Sequence, residues 1–184
     1  MLGTSKEIKN PGLNILPPGV ERHVVNGGAL TAFQIFPDDE LEIINNEGNQ
    51  ICEIICFNKD GKSDAGILNL KTNNDKNFIR SILNGKDETI LATNHQLKKR
   101  NLNISDSKSS IIFDLDTKAG ESFKLKSKDK CYAIFAAPSE DMDVTNQNPP
   151  SDLTIFIKRS QIVNDKELNV IPDPVFEPLY EENI

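Results

Sequence analysis

Tryptophan is absent, histidine occurs twice and cysteine three times, and aromatic residues make up 6% of the chain. The two histidines, His23 and His95, stand far apart, and neither sits in an H-x-H or H-E-x-x-H setting, so a histidine-rich metal site is excluded. No G-x-x-x-x-G-K-[ST] loop appears, no G-x-G-x-x-G follows a strand, and Ser139 lacks the G-x-S-x-G elbow. No apolar run approaches the roughly 20 residues of a membrane helix. The opening MLGTSKEIKNPG lacks the apolar core of a signal peptide. Basic residues are outnumbered, 21 against 28, giving a net charge of −7 and a pI near 4.9. Such a chain is repelled by phosphate backbones and anionic lipid, so neither nucleic acid nor membrane is expected as a partner. The densest basic run, Lys98-Lys99-Arg100, reads as the charged end of a helix. Without an export signal, three thiols point to a reducing cytoplasm.

What is present is strand pattern. The 184 residues are 37% hydrophobic, enough for one sizeable core. Ala29–Phe36, Glu40–Ile44 and Ile51–Phe57 read as strands. Between the last two, Asn45-Asn46-Glu47-Gly48 is a turn signal, which predicts a hairpin. Gly27-Gly28 and Lys59-Asp60-Gly61 mark further turns. Phe78, Ile79, Ile82 and Leu83 share one helical face, with Asn74 or Asp75 as the expected cap and Gly85 at the far end. A second helix is expected near Asn94–Asn101, although Ile90–Thr93 also suits a strand. Ile111–Leu115, Glu121–Leu125, Cys131–Ala137 and Leu153–Lys158 return to strand pattern. The turn Lys118-Ala119-Gly120-Glu121-Ser122-Phe123 resembles the turn of cupin barrels, without the histidines of the cupin metal motif. Together these predict an α+β fold, mostly β, with sandwich or barrel-like sheets and one or two short helices in the middle. Residues 1–18 form an irregular lead-in, 19–163 a single β-rich domain, and 164–184 an extended tail punctuated by Pro172, Pro174 and Pro178.

Few residues suggest chemistry, and no complete catalytic constellation is apparent. Cys52 and Cys56 share a face of one strand but stand about 13 Å apart at about 3.3 Å per residue. That is too far to share a zinc ion, so with Cys131 they read as small core residues. Glu53 shares a face with Ile51, Ile55 and Phe57. A carboxylate there is costly unless paired, protonated or able to reach water, so it reads either as a ligand-pocket residue or as an edge position. Asp141 and Asp143 sit in a polar loop suited to a cation or a basic ligand. His23, next to Glu21-Arg22, reads as a surface loop histidine.

Several strings in a shared order add a resemblance. Pro17-Pro18-Gly19, Arg22, Gly27-Gly28 and Pro37–Asn45 with Gly48 and Gln50 resemble the opening of the urea-carboxylase-associated domain family. Ala136-Ala137-Pro138, Met142, Val144, Gln147, Pro150 and Leu153 through Arg159 are similar to the variant fused to glycine-cleavage T-protein-like aminomethyltransferases. Pro172-Asp173-Pro174 and Glu177-Pro178-Leu179 resemble the join to the next domain. The resemblance implies a non-catalytic accessory or small-molecule-binding domain of a one-carbon metabolism protein. Folate would bind in a fused or partner transferase domain, and no cofactor in this segment. The alternative it implies is a metal-dependent hydrolase acting on a small amine or guanidine, but the family's His-Asp…Cys segment has no counterpart here. Arg22 and Gln50, inside the matched strings, join Glu53, Asp141 and Asp143 as ligand-binding candidates for a small cationic amine.

Overall fold

In a computed structural model the described residues are 16–72, 77–139 and 149–160. They form eight strands, β1 (Val20–Val25), β2 (Leu30–Ile35), β3 (Glu40–Asn45), β4 (Cys52–Phe57), β5 (Ser110–Phe113), β6 (Glu121–Lys126), β7 (Cys131–Ala136) and β8 (Leu153–Lys158). A 3-10 turn (Ala65–Leu68) and two helices, α1 (Phe78–Leu83) and α2 (Glu88–Lys99), stand between β4 and β5. The strands make two antiparallel four-stranded sheets, β1-β8-β3-β6 and β2-β7-β4-β5. The chain changes sheet at every connection except the helical one, which is jelly-roll connectivity. The mostly-β α+β fold is therefore as the sequence predicts. Among the described residues no helix is long and apolar enough to cross a membrane.

Alternation along each strand sorts side chains between faces. Val25, Leu41, Ile43, Leu153, Ile155 and Ile157 of the first sheet meet Phe33, Ile35, Cys52, Ile54, Phe113 and Phe135 of the second, and these close the core between the sheets. A second apolar cluster lies on the other side of the second sheet. There Ala32, Ile55, Phe57, Ile134 and Ala136 pack beneath Ile79, Leu83 and Leu97 of the helices. Among the described residues the first sheet has no such cover; its outer positions carry Arg22, Glu40, Glu42, Lys124 and Lys158.

Three expectations are corrected. β3 and β4 are not a hairpin: β3 pairs with β6 and β8, β4 with β5 and β7. The turn between them bonds outward instead, with Asn49 N donating to Thr117 O at 2.8 Å. Gly48 has φ +79°, and a Cβ on it would stand 2.7 Å from Ala119 N, so the corner is fixed by the β5–β6 turn. The cap of α1 is Asn77, whose side chain accepts from Arg80 N; Asn74 and Asp75 lie outside the described residues. Residues Ile90–Thr93 are helical, inside α2. Lys98 and Lys99 do occupy the last turn of that helix, and Arg100, its C-cap, stands over the Tyr132 ring.

Candidate functional site

The expected ligand-binding residues occupy three separate places. Glu53 projects from the helix-covered face of the second sheet and is 0% exposed. One carboxylate oxygen accepts from Ile79 N at 2.6 Å and the other from the Ser109 hydroxyl. Burial pushes this carboxyl above its ordinary range, and these hydrogen bonds offset only part of that push. Its oxygens are thus turned to the chain itself, and they tie the start of α1 to β4. Gln50, 3% exposed, lies just before β4, three residues ahead of Glu53. Its amide donates to Ile51 O and Pro138 O, each at 2.9 Å, and accepts from Ser151 N at 2.8 Å. Gln50 therefore stitches the β3–β4 corner to the ends of β7 and β8. Asn45 Nδ2 donates to Gln50 O at 2.8 Å in the same cluster. Arg22 is exposed on the bare face of the first sheet. Asp141 and Asp143 lie outside the described residues.

The three thiols are free and buried. Cys52 and Cys56 are both on the core side of β4, as alternation requires. A hydrogen bond with Cys131, together with burial, pushes the Cys56 thiol up, and burial pushes Cys52 up. Both favour the thiol over the thiolate that metal binding or nucleophilic attack needs. Among the described residues, no three His, Cys, Asp or Glu side chains are grouped to hold a metal ion.

An ionic cluster escaped the sequence reading. Arg159, only 4% exposed at its side chain, holds Glu21 through two hydrogen bonds of 2.7 and 2.9 Å and Asp39 through one of 2.7 Å. It also donates to Gln34 O at 2.9 Å. Asp39, fully buried, accepts from Phe36 N and Ser160 N. His23 lies on β1 rather than in a loop; it donates to Glu21 at 3.0 Å, and its ring centroid is 4.2 Å from that of Phe33. Burial alone would raise the Glu21 carboxyl. The hydrogen bonds from His23 and Arg159, with the Arg159 charge, outweigh it and hold the group at about 2. Burial likewise opposes the Arg159 charge, and its two carboxylate partners more than restore it. With all three guanidinium nitrogens engaged, the cluster is a clamp that ties β1, the β2–β3 corner and the end of β8.

The first sheet also bears a groove of about 900 Å³. Leu16 and Pro17 of the lead-in, Val20, Leu41, Phe123 and Phe156 give it apolar walls, and Glu40, Glu42, Lys124, Lys126 and Lys158 give it both signs of charge. Strand register orders these side chains in rows. Arg22 faces Phe156, Phe156 faces Glu42, and Glu42 faces Lys124. One step along, Val20, Lys158, Glu40 and Lys126 repeat the arrangement. Lys124 and Glu42 are 3.6 Å apart, Lys158 and Glu40 3.4 Å, and Lys126 and Asp38 3.1 Å, all largely exposed. Exposed pairs of this kind contribute about 0–1 kcal/mol each, so either partner is readily exchanged for a ligand charge. Sequence reading reached Arg22 but not Glu42 or Phe156, because the row exists only in register.

No family model matches the chain. Over 172 residues it is 30% identical to the trimethylamine-oxide aldolase of Ruegeria pomeroyi (strain ATCC 700808 / DSM 15171 / DSS-3). The match covers 94% of this chain but 22% of that protein, so the chain spans little more than a fifth of its relative's length.

Proposed function

We propose that this chain is an accessory, small-molecule-binding domain of small-amine metabolism, with bond-making chemistry carried by other domains or by a partner. The observation that carries this reading is the extent of the match: nearly all of the chain corresponds to a minor part of a trimethylamine-oxide aldolase. The finer role is that of an accessory domain to an aminomethyltransferase-like, folate-using domain, which is the arrangement that the strings Ala136–Pro138 and Leu153–Arg159 resemble. The packed interior supports a non-catalytic part. The buried polar groups of the two main clusters, around Arg159 and around Glu53, are spent on the chain's own backbone and side chains. Three free thiols suit a reducing cytoplasm.

The test has two arms on the purified chain. Trimethylamine oxide is followed by proton nuclear magnetic resonance at high protein concentration, and thermal unfolding is measured with and without it. The expected result is unchanged substrate together with a raised melting temperature. A ligand at about 100 times its dissociation constant adds about 2.7 kcal/mol of stability. Consumption of trimethylamine oxide by the chain alone would overturn the accessory role. A folate is expected to leave the melting temperature unchanged.

A further inference from the structure

We infer that the row Arg22–Phe156–Glu42 on the bare face of the first sheet is the binding site for a zwitterionic methylated ammonium, a ligand that carries a positive nitrogen and an anionic oxygen. The inference rests on the small-molecule-binding reading above and deepens it by naming the site and the ligand class.

Placement comes first. Ile155 and Ile157 of β8 and Leu41 and Ile43 of β3 are buried in the core, so Phe156 and Glu42 face outward. Phe156 is half-buried, Arg22 is exposed, and the Glu42 side chain is 38% exposed. Neighbouring strands lie about 4.8 Å apart, so Arg22 and Glu42 flank the ring with backbones roughly 10 Å from one another. The groove wall continues through Val20, Leu16 and Pro17, which offer contact to methyl groups.

The chemistry follows. An aromatic face attracts an alkylated ammonium through its quadrupole, and this is the recognised use of aromatic side chains toward choline-like cations. Glu42 adds a carboxylate from β3, next to Phe156 in the register. Its present partner, Lys124, is 3.6 Å away with a side chain 76% exposed, a weak pair that a ligand cation can replace. Arg22, on the other side of the ring, supplies a guanidinium for the anionic oxygen. A bare cation uses two of the three side chains; a zwitterion uses all three. The arrangement therefore favours N-oxides and betaine-like compounds over simple amines.

Titration calorimetry on the full chain tests this with trimethylamine oxide, tetramethylammonium and acetate as probes. Trimethylamine oxide is expected to bind more tightly than tetramethylammonium, and acetate least. Phe156→Leu is expected to weaken both methylated ligands by about two- to fivefold. Glu42→Gln should weaken both, and Arg22→Gln should weaken trimethylamine oxide while leaving tetramethylammonium unchanged. All three positions are on the surface, and circular dichroism confirms that each variant is folded. Tight trimethylamine oxide binding that survives all three substitutions would overturn the site and leave the small-molecule-binding reading standing. So would loss of binding in Glu53→Gln alone. Binding of none of the probes to the wild-type chain would overturn both.

Discussion

The outer face of the second sheet presents Ala32, Ile55, Phe57, Ile134 and Ala136 to two helices, while the same positions of the first sheet present Glu42, Lys124, Phe156 and Lys158 to a groove, with Arg22 next to Phe156 in the register. Both sheets have the same strand number and the same shared core, so the contrast is one of sequence on a common frame. Apolar outer positions require a roof, and the insertion between β4 and β5 supplies α1 and α2. Charged outer positions need none, and their side chains remain available to a ligand. One sheet is thus built into the interior, and the other keeps an open, charged face among the described residues.

Substitutions on the two sheets should separate accordingly. The largest effect is expected where the first sheet does bury charge. Arg159→Ala leaves Asp39 and Glu21 without their cation, and breaking a buried pair of this kind costs about 3–5 kcal/mol. Urea denaturation checks it. A loss below about 1 kcal/mol would mean that the clamp is no better than a surface pair. Next is Ile134→Ala, 0% exposed beneath the helices, expected to cost about 2–5 kcal/mol through lost burial and a cavity. Its counterpart on the bare face, Glu42→Gln, is expected to change stability by less than about 0.5 kcal/mol. Equal costs at the two positions would erase the contrast between the sheets.

Much of this contrast was legible in the sequence, and what was not is instructive. Seven of the eight strands follow from alternation, and the helix-covered face is visible in the run Ile79, Ile82 and Leu83. β1 is the strand that alternation misses, because two of its three inward positions are Glu21 and His23, with only Val25 apolar. Glu21 is tolerated there because Arg159, far along the chain, holds it, and His23 because it donates in turn to Glu21. The β3–β4 corner was read as a hairpin for a related reason. A turn signal reports that the chain reverses, but the partner that decides between one sheet and two is Thr117, distant in sequence. Glu53 was flagged by its apolar neighbours. Only the fold shows that those neighbours face α1, so that its oxygens meet Ile79 N and Ser109 rather than a ligand.

A smaller effect follows from Glu53 as an anchor. Glu53→Ala leaves the Ile79 amide and the Ser109 hydroxyl without their acceptor, which costs about 1–3 kcal/mol. Hydrogen exchange should show the loss concentrated in α1 and α2, with strands of the first sheet protected as before. Uniform loss across both sheets would mean that the helices and the sandwich unfold as one unit.

The effect most specific to the clamp is its response to acid. The Glu21 carboxyl is held at about 2 in the folded chain, against 4.5 when unperturbed. A depressed carboxylate stabilises the fold fully above its unfolded value and loses that contribution as pH falls from about 4.5 toward 2. Stability measured across this window should therefore decline toward low pH. His23→Ala removes one of the hydrogen bonds that depress Glu21, so its carboxyl should titrate at higher pH, still below the ordinary range because Arg159 remains. Carbon-13 titration of the Glu21 side chain measures this directly. An unmoved titration in His23→Ala would assign the depression to Arg159 alone and reduce His23 to a ring packed on Phe33.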